Sequence, residues 1–173
     1  SEKHRLHFPQ GELSGGEFVR PFECPERWDY ITNELRSRGY SEFVEPEQLN
    51  FDLVHKVHDA RYVKFLQRAW VEWKQAGMHG EAIPSVFPAR RMRQRIPNHI
   101  EGKLGYYSMA IESPITAGTW EAAKSSAACA VTAQKLAITD GSAFALCRPP
   151  GHHAGIDLYG GYCFLNNAAI AAQ

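Results

Sequence analysis

Near the end of the chain a short apolar run, Ala143-Phe144-Ala145-Leu146-Cys147, gives way to Arg148-Pro149-Pro150-Gly151-His152-His153-Ala154-Gly155. Gly160-Gly161-Tyr162-Cys163-Phe164-Leu165-Asn166-Asn167-Ala168-Ala169 follows shortly. The apolar run reads as a buried strand. An open parallel sheet places its ligands just beyond the carboxyl ends of its strands, so the His-His loop falls where chemistry is usually done. Two prolines stiffen that loop and several glycines loosen it. The rest of the chain is read as building around it.

The elements upstream support an α/β reading. From Pro25, the apolar positions Trp28, Ile31 and Leu35 follow helical spacing, with Gly39 as stop. Phe43-Val44 reads as a short strand, and Asn50 caps a brief helix carrying Leu53, Val54 and Val57. Asp59 caps the clearest helix, with Tyr62, Phe65, Leu66, Ala69, Trp70 and Trp73 on one face and Gly77 as stop. That stripe is core. Thr119 caps a long Ala/Ser-rich helix from Trp120 to about Thr139, Asp140-Gly141 turns the chain into the apolar run, and a last helix starts at Asn166. Helix, buried strand, loop and helix make a largely parallel sheet flanked by helices.

Two stretches read as loops. Residues 1–23 are broken by Gly11, Gly15 and Gly16 and carry Glu12 and Glu17. Residues 78–118 hold four prolines and four glycines, with Arg90, Arg91, Arg93 and Arg95 on a stretch that is either a solvated loop or a subunit contact and rim. His55 and His58 stand at i, i+3, but no third ligand accompanies them, which favours a structural role.

Composition narrows the partners. Nineteen basic residues balance nineteen acidic ones, so no nucleic-acid footprint is present. No apolar run reaches the roughly 18 residues that span a bilayer, and the first residues are too polar for a signal peptide, which together predict a cytoplasmic protein without a membrane partner. Cys24, Cys129, Cys147 and Cys163 form no Cys-x-x-Cys pair and imply neither a disulfide framework nor a thiolate zinc site. Adjacent imidazoles, by contrast, offer a base and an electrostatic partner together.

The two terminal motifs resemble the catalytic loop pair of the zinc-dependent histone deacetylase superfamily. Val57-His58-Asp59-Ala60-Arg61-Tyr62-Val63 with Phe65-Leu66 resembles an earlier signature of it. Glu81-Ala82-Ile83-Pro84, Asn98-His99-Ile100-Glu101-Gly102, Leu104-Gly105-Tyr106-Tyr107 and Gly118-Thr119-Trp120-Glu121-Ala122-Ala123 are similar to the bacterial acetylpolyamine amidohydrolase branch.

This resemblance implies a zinc-dependent amidohydrolase that frees acetate and an amine from acetylated polyamines. The alternatives are deacetylation of acetyl-lysine in proteins and a non-catalytic fragment that binds acetylated ligands. It implies His153 as general base and then acid, His152 as electrostatic partner, the Gly161 carbonyl as acceptor for the substrate amide, Tyr162 as a tunnel wall and Cys163 as a lining residue. Glu12 and Glu112, with Glu101 as a further candidate, match acidic positions suited to distal ammonium groups.

Residues 78–118 are similar to an insertion that supports a homodimer and narrows the active-site entrance. The resemblance also implies Zn2+ and a monovalent cation such as K+. The zinc ligands are expected beyond Gln173, so residues 1–173 read as the N-terminal part of one arginase/deacetylase-like α/β domain. A sheet halved there would expose apolar faces, which predicts a protein about twice as long.

Overall fold

Helices form where apolar spacing and caps coincide. In the computed structural model, which describes residues 1–173, they are α1 Glu26–Ser37, α2 Phe51–Val57, α3 Ala60–Gln75, α4 Ile100–Tyr107, α5 Thr119–Asp140 and α6 Asn167–Ala171. The side chain of Asn50 accepts the Asp52 N–H at 3.0 Å and that of Asp59 accepts the Arg61 N–H at 2.7 Å, satisfying amides that a helix start leaves free. Gly39, Gly77 and Gly141 end their helices at φ 87°, 81° and 86°. The Asn166 side chain caps α6 by accepting the Ala169 N–H at 3.1 Å.

The core is built on α3. Tyr62, Val63, Phe65, Leu66, Ala69 and Trp73 are buried, while Trp70 is half-buried. Burying a large apolar side chain contributes roughly 1.5–3 kcal/mol, so this face outweighs the modest intrinsic propensity of a helix of this length. Aromatic rings continue inward from it: Phe65 stacks on Tyr107 at 4.7 Å and on Tyr159 at 6.1 Å, and Tyr159 stacks on Phe164 at 5.6 Å. The Tyr62 hydroxyl donates to the Phe164 carbonyl at 2.6 Å. The helical core is thereby pinned to the segment that follows the paired histidines. On the other side, α5 packs against α6 and against a 3-10 turn at Glu2–Leu6.

Several expectations are corrected. Residues 1–23 contain the 3-10 turn and an antiparallel hairpin, β1 Glu12–Ser14 with β2 Glu17–Val19. Gly15 and Gly16, at φ 60° and 87°, make its two-residue turn, a backbone that side-chain-bearing residues rarely adopt. The 78–118 region holds α4 despite its prolines. Thr119 begins α5 but does not cap it, because its hydroxyl accepts the Thr116 N–H at 2.7 Å and lies 2.9 Å from His7 Nδ1.

The apolar run at 143–147 is not a paired strand, and Phe144 is 69% exposed. Phe43-Val44 is likewise unpaired and exposed. A strand is held by its neighbours' N–H and C=O groups, and no segment of these 173 residues forms a strand ladder with either run. The hairpin is the one sheet; parallel pairing is confined to a single bridge between Ser108 and Tyr159.

His7 couples this fold to pH. It is 3% exposed, and burial, with a smaller push from the Arg148 charge, lowers its pKa to about 3 from 6.5. A histidine held neutral when folded protonates only in the unfolded state between those values, so stability is lost as pH falls from 6.5 toward 3. His7→Gln is expected to flatten that fall, which would otherwise approach about 1.4 kcal/mol per pH unit. Urea unfolding at pH 7, 6, 5 and 4 measures the slope.

Candidate active site

The loop bearing the two histidines starts from a buried anchor. Arg148 is buried and pairs with Glu23 at 2.9 Å through Nε, while its Nη1 donates to the His4 carbonyl. The next turn is held by Asn167, whose Nδ2 faces the carbonyls of Pro149 at 3.0 Å and Pro150 at 2.7 Å. The Ser126 hydroxyl donates to the Pro149 carbonyl at 2.6 Å. With its backbone fixed in this way, the loop presents His152 and His153 at the surface, their ring centroids 4.3 Å apart and inclined by 48°.

The second loop folds back onto the first. Gly160 and Cys163 exchange both backbone hydrogen bonds at 3.0 Å, closing a tight turn with Gly161 at φ 56° and Tyr162 at φ 63°. A non-glycine residue in the left-handed region is uncommon and persists only where its surroundings hold it. The Tyr162 N–H donates to Ser113 Oγ at 2.7 Å, and the Tyr162 hydroxyl donates to Glu12 Oε1 at 2.8 Å. Gly161 has to be glycine for a second reason: a Cβ there would lie 2.5 Å from His153 Cδ2. The His153 ring therefore rests on the Gly161 backbone.

Three of the four remaining sequence candidates join this cluster. Glu112 Oε1 accepts the Gly161 N–H at 3.1 Å, and its other oxygen has no hydrogen-bond partner in the protein. Cys163 is buried: its Sγ accepts the Gly151 N–H at 3.0 Å and its thiol donates to the Gly161 carbonyl at 3.1 Å. Burial raises its pKa, which keeps it a thiol rather than a nucleophile.

Glu12 is also here, but differently from expectation. It is 4% exposed, with Oε1 taken by Tyr162 and Oε2 accepting the Phe22 N–H at 3.3 Å. Its charge is committed to the protein. Burial and this carboxylate together push the Tyr162 hydroxyl up to about 12. Glu101 does not join the cluster; it stands in the first turn of α4, 3.5 Å from His99 Nδ1. Arg90, Arg91, Arg93 and Arg95 are exposed.

Ser113 and Asn167 were not singled out in the sequence. Ser113 stands beside Glu112 and Asn167 beside Asn166, the expected start of the last helix, but nothing local marks either as a partner for a backbone 18 to 49 residues away. No group of three His, Cys, Asp or Glu side chains gathers anywhere in the chain as a metal site. The residues present therefore do not fit a zinc ion, and the chemistry they can supply is proton transfer, hydrogen bonding and charge.

Residues 21–173 match the histone deacetylase domain, and the chain belongs to that family. Among relatives, it is 53% identical to the acetylpolyamine amidohydrolase of Mycoplana ramosa over 174 residues, covering 100% of this chain and 51% of that protein. Acetylpolyamine amidohydrolase 1 of Pseudomonas aeruginosa is 49% identical, with 100% and 51% covered. The crystal structure of the acetylpolyamine aminohydrolase from Burkholderia pseudomallei superposes with a TM-score of 0.84 at 36% identity, over 100% of this chain and 50% of that one. The HDA15 HD domain shares the fold, with a TM-score of 0.66 at 22% identity. The α/β deacetylase fold expected from sequence is thus shown, in part, by a chain that spans about half the length of the relatives it matches.

The Glu12–Tyr162 bond can be measured. Tyr162→Phe leaves a buried carboxylate oxygen without its donor, an expected loss of about 1–3 kcal/mol in urea unfolding. In a double-mutant cycle with Glu12→Gln, a coupling of about 1 kcal/mol or more is expected; additive losses would mean that the bond does not hold the turn.

Proposed function

We propose that the whole protein hydrolyses acetylated polyamines to acetate and a free amine. The observation that carries this reading is Glu112: one oxygen is fixed by the Gly161 N–H, and the other is left for a cation beside the paired histidines. An acetylpolyamine holds an amide at one end and an ammonium several ångströms away, and this arrangement offers a partner for each. The names of the Mycoplana and Pseudomonas relatives support the same substrate class.

In the proposed reaction, the His153 imidazole takes a proton from the attacking water as oxygen bonds to the acetyl carbon. It returns that proton to the amine nitrogen as the C–N bond breaks. His152 stabilises the charge that develops, and the Gly161 carbonyl accepts the substrate amide N–H. Tyr162 lines the channel, and Glu12 acts on the substrate through Tyr162 rather than as a cation receptor. Glu101, on α4, is left a secondary place at the rim.

Zinc is proposed for the whole protein as its family's usual cofactor, and K+ as a further ion; neither has a site among these side chains, and no step is assigned to them. A homodimer is proposed through the 78–118 region, where Val86, Phe87 and Met92 are exposed. No helix is long and apolar enough to cross a membrane; action in the cytoplasm is part of the proposal.

Zinc-loaded full-length protein assayed on acetylputrescine, acetylspermidine and an acetyl-lysine peptide tests the proposal. The two polyamines are expected to have the higher kcat/KM; preference for the peptide would favour protein deacetylation instead. His153→Ala is expected to lose about 10²–10⁴-fold in kcat, and turnover that survived it would remove the assigned base. Glu112→Gln is expected to raise KM about fivefold for acetylputrescine, equivalent to roughly 1 kcal/mol, and to leave a neutral N-alkylacetamide unchanged.

A further inference from the structure

His58 takes no part in the chemistry above, yet it touches both loops. It is 2% exposed and sits between α2 and α3 with extended backbone. Its Nε2 accepts the Asn166 N–H at 2.9 Å, and its Nδ1 lies 3.3 Å from the Ile156 carbonyl. A ring nitrogen accepts only where it carries no proton, so both contacts together require a neutral imidazole protonated on Nδ1. Burial favours that neutral form by lowering the His58 pKa, against the opposing pull of the Ile156 carbonyl.

The two residues that His58 joins are themselves tied to the histidine loop. The Asp59 N–H donates to the same Ile156 carbonyl at 2.9 Å, and Asn166 Nδ2 donates to the carbonyl of Ala154 at 3.0 Å. Ala154 directly follows His153, and Asn166 lies in the same run as the Gly160–Cys163 turn. Because the His153 ring rests on Gly161, the separation of the two loops sets where that ring stands.

We infer that His58 is a positioning residue for the His152–His153 pair, an imidazole strut that accepts from Asn166 and donates to Ile156 and so holds the two loops at a fixed spacing. This rests on the proposed amide hydrolysis for its kinetic consequence, but not for its structural one. A misplacement on the order of 1 Å at a reacting group can cost about a hundredfold in rate.

The test uses zinc-loaded full-length protein. Nitrogen-15 histidine NMR at pH 7 is expected to show His58 neutral with the proton on Nδ1; a charged ring or an Nε2 proton would overturn the inference, whatever the protein hydrolyses. On acetylputrescine, His58→Leu is expected to lower kcat about ten- to hundredfold with KM changed less than about twofold. His58→Gln, which can again offer Asn166 an acceptor, is expected to recover most of that loss. Wild-type kcat in the Leu variant, or equal losses in two variants that both melt cooperatively, would reduce His58 to a packing residue. A wild-type protein inactive on every acetylated amine would instead defeat the proposed function, leaving the tautomer to decide His58.

Discussion

A buried backbone N–H without an acceptor is costly, and the stretch from Arg148 to Asn166 has neither helix nor paired strand to supply one. Some of its amides find backbone carbonyls in tight turns, as Gly160 and Cys163 do in each other, and four are met by side chains. Gly151 donates to Cys163 Sγ, Gly161 to Glu112, Tyr162 to Ser113 and Asn166 to His58. Each acceptor fixes one point of an irregular path, and together they fold the second loop over the first. Together with the Ser126 and Asn167 bonds to the Pro149 and Pro150 carbonyls, these four bonds set the place of the histidine pair.

The same bonds divide the labour among carboxylates. Glu12 is enclosed by the hairpin side of the molecule, with one oxygen on a tyrosine hydroxyl and the other on a backbone amide, so its charge is spent inside the protein. Glu112 has only one oxygen engaged. A carboxylate already holding two donors gains little from a third, whereas a half-engaged one gains a full charge-assisted contact. The acidic character of the site thus resolves into one residue that shapes the wall and one that remains available. Cys163 is similar to Glu12 in this respect: its buried thiol is consumed by Gly151 and Gly161.

What the sequence revealed depended on how far apart the interacting residues lie. The α3 helix was legible because Asp59, its apolar stripe and Gly77 all act within a few residues of one another. The hairpin at Glu12–Val19 was not, since three-residue strands are too short to show a period. The 143–147 run had the right composition for a strand, but strand formation needs a neighbour that composition does not supply. In the site, His152 and His153 stood out as adjacent imidazoles just after an apolar run, while Gly161, Tyr162, Cys163 and Glu112 came through motif resemblance. Ser113 and the strut role of His58 were missed because each acts on a main-chain amide tens of residues distant, which leaves no local pattern.

Amide hydrogen exchange on the full-length protein tests the dependence on these four bonds most directly. The N–H groups of Gly151, Gly161, Tyr162 and Asn166 are expected to exchange at least about a hundredfold more slowly than those of the exposed 89–94 loop, despite lying outside every helix and strand. Exchange of these four amides as fast as that loop would contradict the account.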